Sequence, residues 1–95
     1  MTYKYKRVSI RNDKNIDFWK FTDEQEAEIK TKYVDTGKRL SFSETYSDDQ
    51  LIQTWEFEWV DAESFREYAD EFISLWMDRT IYNTANDIIS SVAEH

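Results

Sequence analysis

Glu56 and Glu58 are separated by one residue in the run TWEFEWV, residues 54–60. In an extended chain two such positions point to the same side. Carboxylates held together out of water could serve as general acid and general base, because the charge of one raises the pKa of the other. Thr54 shares their side of the strand, and the run LSFSETY supplies Ser41, Ser43 and Thr45 at matching parity. These six residues form a candidate polar sheet face. The plain alternative is a solvated face, since charged and hydroxyl side chains are the ordinary outer covering of an antiparallel sheet.

Other chemistries lack their parts. Ser–His and Cys–His nucleophiles need an imidazole positioned by the fold, but the only histidine is His95, at the end of the sequence, and there is no cysteine. Phosphate-binding loops need several glycines, and Gly37 stands alone. Zinc-finger ligands are missing, and SDDQ at 47–50 lacks the spacing of a calcium loop, so it is expected to be a turn. The expectation is no catalytic residue, no metal and no cofactor. Two constellations keep alternatives open. Lys38 and Arg39 either favour the carbonyl end of a helix or bind an anion. Tyr3, Tyr5, Trp19 and Tyr82 either stack a planar ligand or pack into the fold.

These residues need elements to hold them. YKYKRVSIR, residues 3–11, alternates Tyr3 and Tyr5 and then shifts parity to Val8 and Ile10, which predicts a strand with a bulge or twist near Arg7. IDFWKFT, after the polar RNDKN, predicts either a short strand or an apolar loop plugged into the core. Thr22 and Gln25 fit a capping box, and Ala27, Ile29, Tyr33 and Val34 give a thin apolar face, so a helix should run to about Thr36, with Gly37 as its left-handed cap. Leu40, Phe42 and Tyr46 share one parity, as do Leu51, Trp55, Phe57 and Trp59. The two runs predict a hairpin, with these residues facing a core. Asp61 caps a second helix, in which Phe65, Tyr68, Ala69, Phe72, Ile73 and Trp76 follow helical spacing. After Asp78 a short helix through Ala85 and a final strand in NDIISSV are expected.

Ninety-five residues suffice for one domain with one core, and 40% apolar residues with 16 aromatics argue against disorder. The net charge of −8 is unevenly divided along the chain. Residues 1–39 hold ten Lys/Arg against seven Asp/Glu, net +3, and residues 40–95 hold two against thirteen, net −11. The overall acidity disfavours nonspecific binding to nucleic acid or to an anionic membrane. Lack of cysteine, of a signal-like apolar run and of a long apolar span leads us to expect a soluble cytoplasmic protein.

The order strand, helix, hairpin, helix, strand looks like the ferredoxin-like βαββαβ plan, an α+β two-layer sandwich with an antiparallel sheet and helices on one face. Within it, YVDTGKRLSFSETYSDDQLIQTWEFEWVDAESFREY resembles the dimeric α+β barrel domains related to antibiotic biosynthesis monooxygenases. The region with IYNTAND also resembles small uncharacterised bacteriophage proteins. The resemblance implies a homodimer with sheets pressed together. In some members it implies oxidation of aromatic substrates or degradation of haem, for which His95 is expected to be a poor axial ligand. Three functions follow as expectations. The first is a noncatalytic accessory module, acting through self-association and an acidic, aromatic surface on a protein partner. The second is a cofactor-independent monooxygenase-like enzyme, which requires an enclosed aromatic pocket. The third is an acidic mimic of nucleic acid, which requires one contiguous carboxylate face.

Overall fold

Trp55, Phe57 and Trp59 are all buried, whereas Glu56 between them is exposed. That alternation is a strand with one dry side. The computed structural model describes residues 2–94; His95, considered above as a haem ligand, lies outside them. Strand β1 spans Tyr3–Ile10, β2 Arg39–Tyr46, β3 Ile52–Trp59 and β4 Ile89–Glu94. They form one sheet in the order β2-β3-β1-β4, with every neighbouring pair antiparallel. Helices α1 (Asp23–Ile29), α2 (Ala62–Glu71) and α3 (Ile73–Ala85) complete an α+β fold.

Register decides which residues share a side. Tyr5 lies opposite Phe57, and Phe57 opposite Phe42, so the aromatic stripe crosses three strands. Every ring contact from helix to sheet is made on this side. Tyr33 and Tyr68 meet Trp59 at centroid distances of 5.8 and 5.0 Å, and Phe65 meets Tyr5 at 4.8 Å. Trp59 has no exposed surface. Tilted and edge-on aromatic pairs of this kind add about 0.5–1.5 kcal/mol each beyond the area they bury.

β1 runs in unbroken register with β3 from Tyr3 opposite Trp59 to Ile10 opposite Ile52. The bulge expected near Arg7 is therefore absent. The change in apolar parity means instead that Val8 and Ile10 leave the core and face the open side. The irregularity lies in β2, where Arg39 pairs with Trp59 and Ser41 with Glu58, leaving Leu40 as the extra residue. Leu40 is 49% exposed, and Arg39 occupies the inward position expected for it.

Thr22 and Gln25 form the capping box, with the Thr22 hydroxyl accepting from Gln25 N at 3.2 Å and the Gln25 carbonyl oxygen accepting from Thr22 N at 2.9 Å. After Ile29 the helix widens into a π turn over Lys30–Val34, marked by the Asp35 N–H bonding back to the Lys30 carbonyl. Ile29 and Tyr33 are buried, whereas Ala27 is exposed and so lies outside the apolar face predicted for it. Residues 11–22 form no strand; they are the plugged loop, with Phe18 buried and Trp19 and Phe21 packed against the core. Arg11 fastens this loop. Its Nε donates to the Gln50 carbonyl, its Nη1 to the Ile16 carbonyl, and its guanidinium covers the Phe18 ring at 4.3 Å.

The break between the last helices falls at Phe72 (φ −105°, ψ 27°) rather than at Asp78. Neither Pro nor Gly marks it, so composition gives no signal there. Asp87, at φ 56°, then turns the chain into β4, the strand expected in NDIISSV. Gly37 sits at φ +79° with open space where a Cβ would be. Gly37→Ala should therefore cost only backbone strain, about 1–2 kcal/mol. Urea unfolding should show a lower midpoint with unchanged slope, and an unshifted midpoint would refute the left-handed cap.

Candidate functional site

The six residues of the polar face come together on the sheet side that no helix covers. Ser41 lies opposite Glu58, Ser43 opposite Glu56 and Thr45 opposite Thr54. β1 adds Lys4 opposite Glu58 and Lys6 opposite Glu56. An open depression of about 480 Å³ lies over Lys4, Lys6, Ser41, Ser43, Glu56 and Glu58. Glu56 pairs with Lys6 at 3.6 Å, with both side chains about half exposed. A pair this wet and this long contributes at most about 1 kcal/mol. Glu56 and Glu58 thus face water and lysines rather than a dry pocket, and the arrangement gives an acid–base pair no desolvation to work with.

One end of the same side is apolar. Ile10 lies opposite both Ile52 and Ile89, giving a row of three isoleucines across β3, β1 and β4, with Ile89 70% exposed. Read without a sheet order, the sequence could not assemble this row, because its members come from three distant segments.

Charge mixes across the two halves of the chain. Lys6 pairs with Glu56, Lys38 with Glu67 at 2.9 Å, and Lys32 with both Glu28 and Glu71. Each of the long-range pairs joins a cation of the first half to a carboxylate of the second. Lys38 is therefore engaged with α2 and stacks over Tyr33 at 5.7 Å. The Arg39 guanidinium lies over Phe42 and Phe57 at 5.4 and 5.7 Å and edges an open groove of about 470 Å³ between α1 and β2. Glu44 lines the same groove and accepts bonds from Trp55 Nε1 and the Tyr46 hydroxyl, both at 2.7 Å. It places an inward-pointing charge on an edge strand, which hinders pairing with a foreign strand.

The four aromatic residues considered for ligand stacking are used internally. Tyr3 and Tyr5 pack on Phe65, Trp19 meets Phe21 edge-on at 4.9 Å, and the Tyr82 hydroxyl donates to the Asp17 carbonyl. Beneath them, a cavity of about 10 Å³ is lined by Tyr5, Trp55, Trp59, Tyr68, Trp76 and Arg79 among others. That is room for about one water-sized sphere, not for an aromatic substrate.

Two features escaped the sequence. Arg79 is buried on the apolar side of α3, three residues beyond Trp76, and a cation at that spacing was the available signal. Ile73, Met77 and Ile81 lie on the opposite side, 53%, 60% and 67% exposed. Of the three, the helical spacing assigns only Ile73 to the core side, and the break at Phe72 turns it outward.

Burial shapes the tyrosines. It raises the pKa of Tyr68, and it raises that of Tyr33 with help from the bond to Glu71 (2.9 Å). Tyr46 is raised by burial and by Glu44, and Tyr3 is pushed up to about 12 by burial and Glu94. In the unfolded chain these hydroxyls titrate near the ordinary value of about 10. Because the folded values are higher, this stability is fully present below about pH 10 and is lost as pH rises through the folded values.

Comparison with protein-family models, with curated proteins and with solved structures finds no match for this chain.

Unfolding free energy should be level between about pH 7 and pH 9 and fall above about pH 10, with tyrosinate absorbance at 295 nm appearing together with loss of structure. Ionisation of Tyr3, Tyr33, Tyr46 or Tyr68 at the ordinary value in an intact fold would refute these environments.

Proposed function

We propose that this protein is a small noncatalytic accessory or protein-binding module that acts by self-association, with a second copy of the chain docked along α3. The observation that carries the proposal is the exposed stripe Ile73, Met77 and Ile81, three large apolar side chains at every fourth position of one helix. A contiguous apolar stripe held in water is unfavourable, and its ordinary use is an interface.

The stripe is also self-complementary. A two-fold axis through Met77 sets Ile73 of one copy against Ile81 of the other, about 6 Å to either side along the helix. The same axis sets Ser74 against Thr80 and Asp78 against Trp76, so hydroxyls meet hydroxyls and no carboxylate meets a carboxylate. Interlocking apolar side chains between antiparallel helices is a standard packing mode.

The strand order β2-β3-β1-β4 and its antiparallel pairings support a ferredoxin-like assignment within the α+β class; the resemblance to dimeric α+β barrel domains and to small bacteriophage proteins rests on the sequence. That resemblance offers a second docking side, the open sheet, where the isoleucine row Ile10, Ile52 and Ile89 is the favouring feature. The ladder of Lys4, Lys6, Glu56 and Glu58 beside the row makes this side wetter than α3. An enzyme acting on an aromatic substrate calls for an enclosed pocket; the interior cavity is only about 10 Å³, and the aromatic groove of about 470 Å³ between α1 and β2 is open to solvent. A nucleic-acid mimic is weighed against by lysines lying among the carboxylates.

Sedimentation at high micromolar concentration should give twice the 11.5 kDa chain mass. Met77→Glu should give the monomer mass with an unchanged far-ultraviolet spectrum, and Ile89→Glu should remain dimeric. A monomeric parent protein would overturn self-association. A dimer that survives Met77→Glu but not Ile89→Glu would move the interface to the sheet.

A further inference from the structure

Two irregularities interrupt the regular elements of the fold, and both border the same space. The π turn over Lys30–Val34 widens the end of α1, and the bulge at Leu40 shifts the register of β2. The open groove of about 470 Å³ lies between them, with Ile29, Lys30 and Val34 on one side and Arg39 and Phe42 on the other. Bulges and π turns are common where a chain re-aims side chains at a functional site. Here the bulge turns Arg39 inward. Arg39 lies opposite Trp59, whose side chain is in the core, and Leu40 is left outside.

Arg39 is an uncommitted cation on an apolar wall. Its guanidinium lies over Phe42 and Phe57, and Phe42 is itself 44% exposed. Among the described residues the ion pairs are those of Lys6, Lys30, Lys32 and Lys38, and the arginine side chains that donate hydrogen bonds are Arg7 and Arg11. No Arg39 nitrogen is buried without a partner. Its donors are therefore open to a ligand. Burial lowers its pKa, so part of its hydration is already lost before any ligand arrives.

The other charges at the rim are mostly spoken for. Lys30 pairs with Asp35 at 2.9 Å, and the two oxygens of Glu44 accept from Trp55 Nε1 and the Tyr46 hydroxyl. That leaves Arg39 and Lys20 against Glu26, a local excess of positive charge in a chain of net charge −8. Such a rim favours an anion.

The lining decides what carries the anion. It is mainly apolar, and its size is within the range of small-molecule sites. Its rings stand at mixed angles: Phe42 is tilted by 36° to Phe57 and by 70° to Trp55, and Phe21 stacks on Trp55 itself. These contacts offer a planar ligand no pair of parallel faces, whereas a flexible alkyl chain conforms to them.

We infer that the groove between α1 and β2 binds a single-chain alkyl carboxylate, with the carboxylate paired to the Arg39 guanidinium and the chain laid against Phe42, Phe21 and Val34. A guanidinium fork suits a carboxylate because two parallel hydrogen bonds form at once. The site shares no residue with the stripe on α3, so its test is independent of self-association.

Titration of decanoate, below its micelle-forming concentration, into isotope-labelled protein followed by NMR tests the site. The Trp55 indole N–H signal should shift, because that residue lines the groove and donates to Glu44 there, with a Kd of about 10–100 μM. Decylammonium, with the same chain and the opposite charge, should bind at least about tenfold more weakly, as should decanoate to Arg39→Gln. Naphthoate, which is planar, should bind more weakly than decanoate. Because Arg39→Gln could disturb the bulge, the comparison of ligands on the parent protein stands without it. Equal affinity for decanoate and decylammonium, tighter binding of naphthoate, an unmoved Trp55 signal, or shifts confined to Ile73, Met77 and Ile81 would overturn the inference.

Discussion

The complete burial of Trp59 is the constraint on which the other contacts depend. A side chain of this size needs apolar cover on all sides, and the cover comes from every layer: Tyr33 after α1, Phe65 and Tyr68 on α2, and the neighbouring strands. The hairpin must therefore be in one register, since a slip of one residue would turn Trp55, Phe57 and Trp59 to water and Glu56 and Glu58 inward. The π turn after Ile29 fits the same demand, for Ile29 and Tyr33 are both buried there. The aromatic run that could have been a ligand platform is instead the structural centre.

Filling the core from within has functional consequences. With ring against ring and little free volume, the centre of the core has room for about one water-sized sphere, and among the described residues the larger spaces are the open groove beside β2 and the depressions of the outer surfaces. Those surfaces differ in kind. The open sheet presents a lysine–glutamate ladder with an isoleucine row at one end, the groove beside β2 is aromatic with a charged rim, and α3 presents a plain apolar stripe. The last is the least hydrated of the three and the most costly to leave uncovered.

The local signals in the chain carried much of this. Period-two alternation identified the hairpin and the inward Phe42, Trp55, Phe57 and Trp59 but misplaced Leu40, the capping box located the start of α1, and Gly37 marked its end. The polar face was legible residue by residue, because side-chain parity along a strand is a local property. What was not legible depended on distant partners. The parity change at Val8 looked like a bulge, but the strand is regular and its two halves serve opposite sides, which the pairing partners alone reveal. The real bulge, at Leu40, has no distinctive residue. The break at Phe72 lacks Pro and Gly, so the spacing of α2 reads on through Ile73 to Trp76, and Ile73 of the exposed stripe is assigned to the core. Arg79 was passed over because a single cation in a helix is usually a surface residue.

Exchange of the Trp59 indole proton in deuterated solvent, followed by NMR, tests the filled core most directly. The account predicts that this proton exchanges only through global unfolding, at the rate of the slowest backbone amides of β1 and β3. Exchange as fast as that of the partly exposed Trp19 indole would mean that the space around Trp59 opens to solvent in the folded protein. That result would contradict a core closed to ligands.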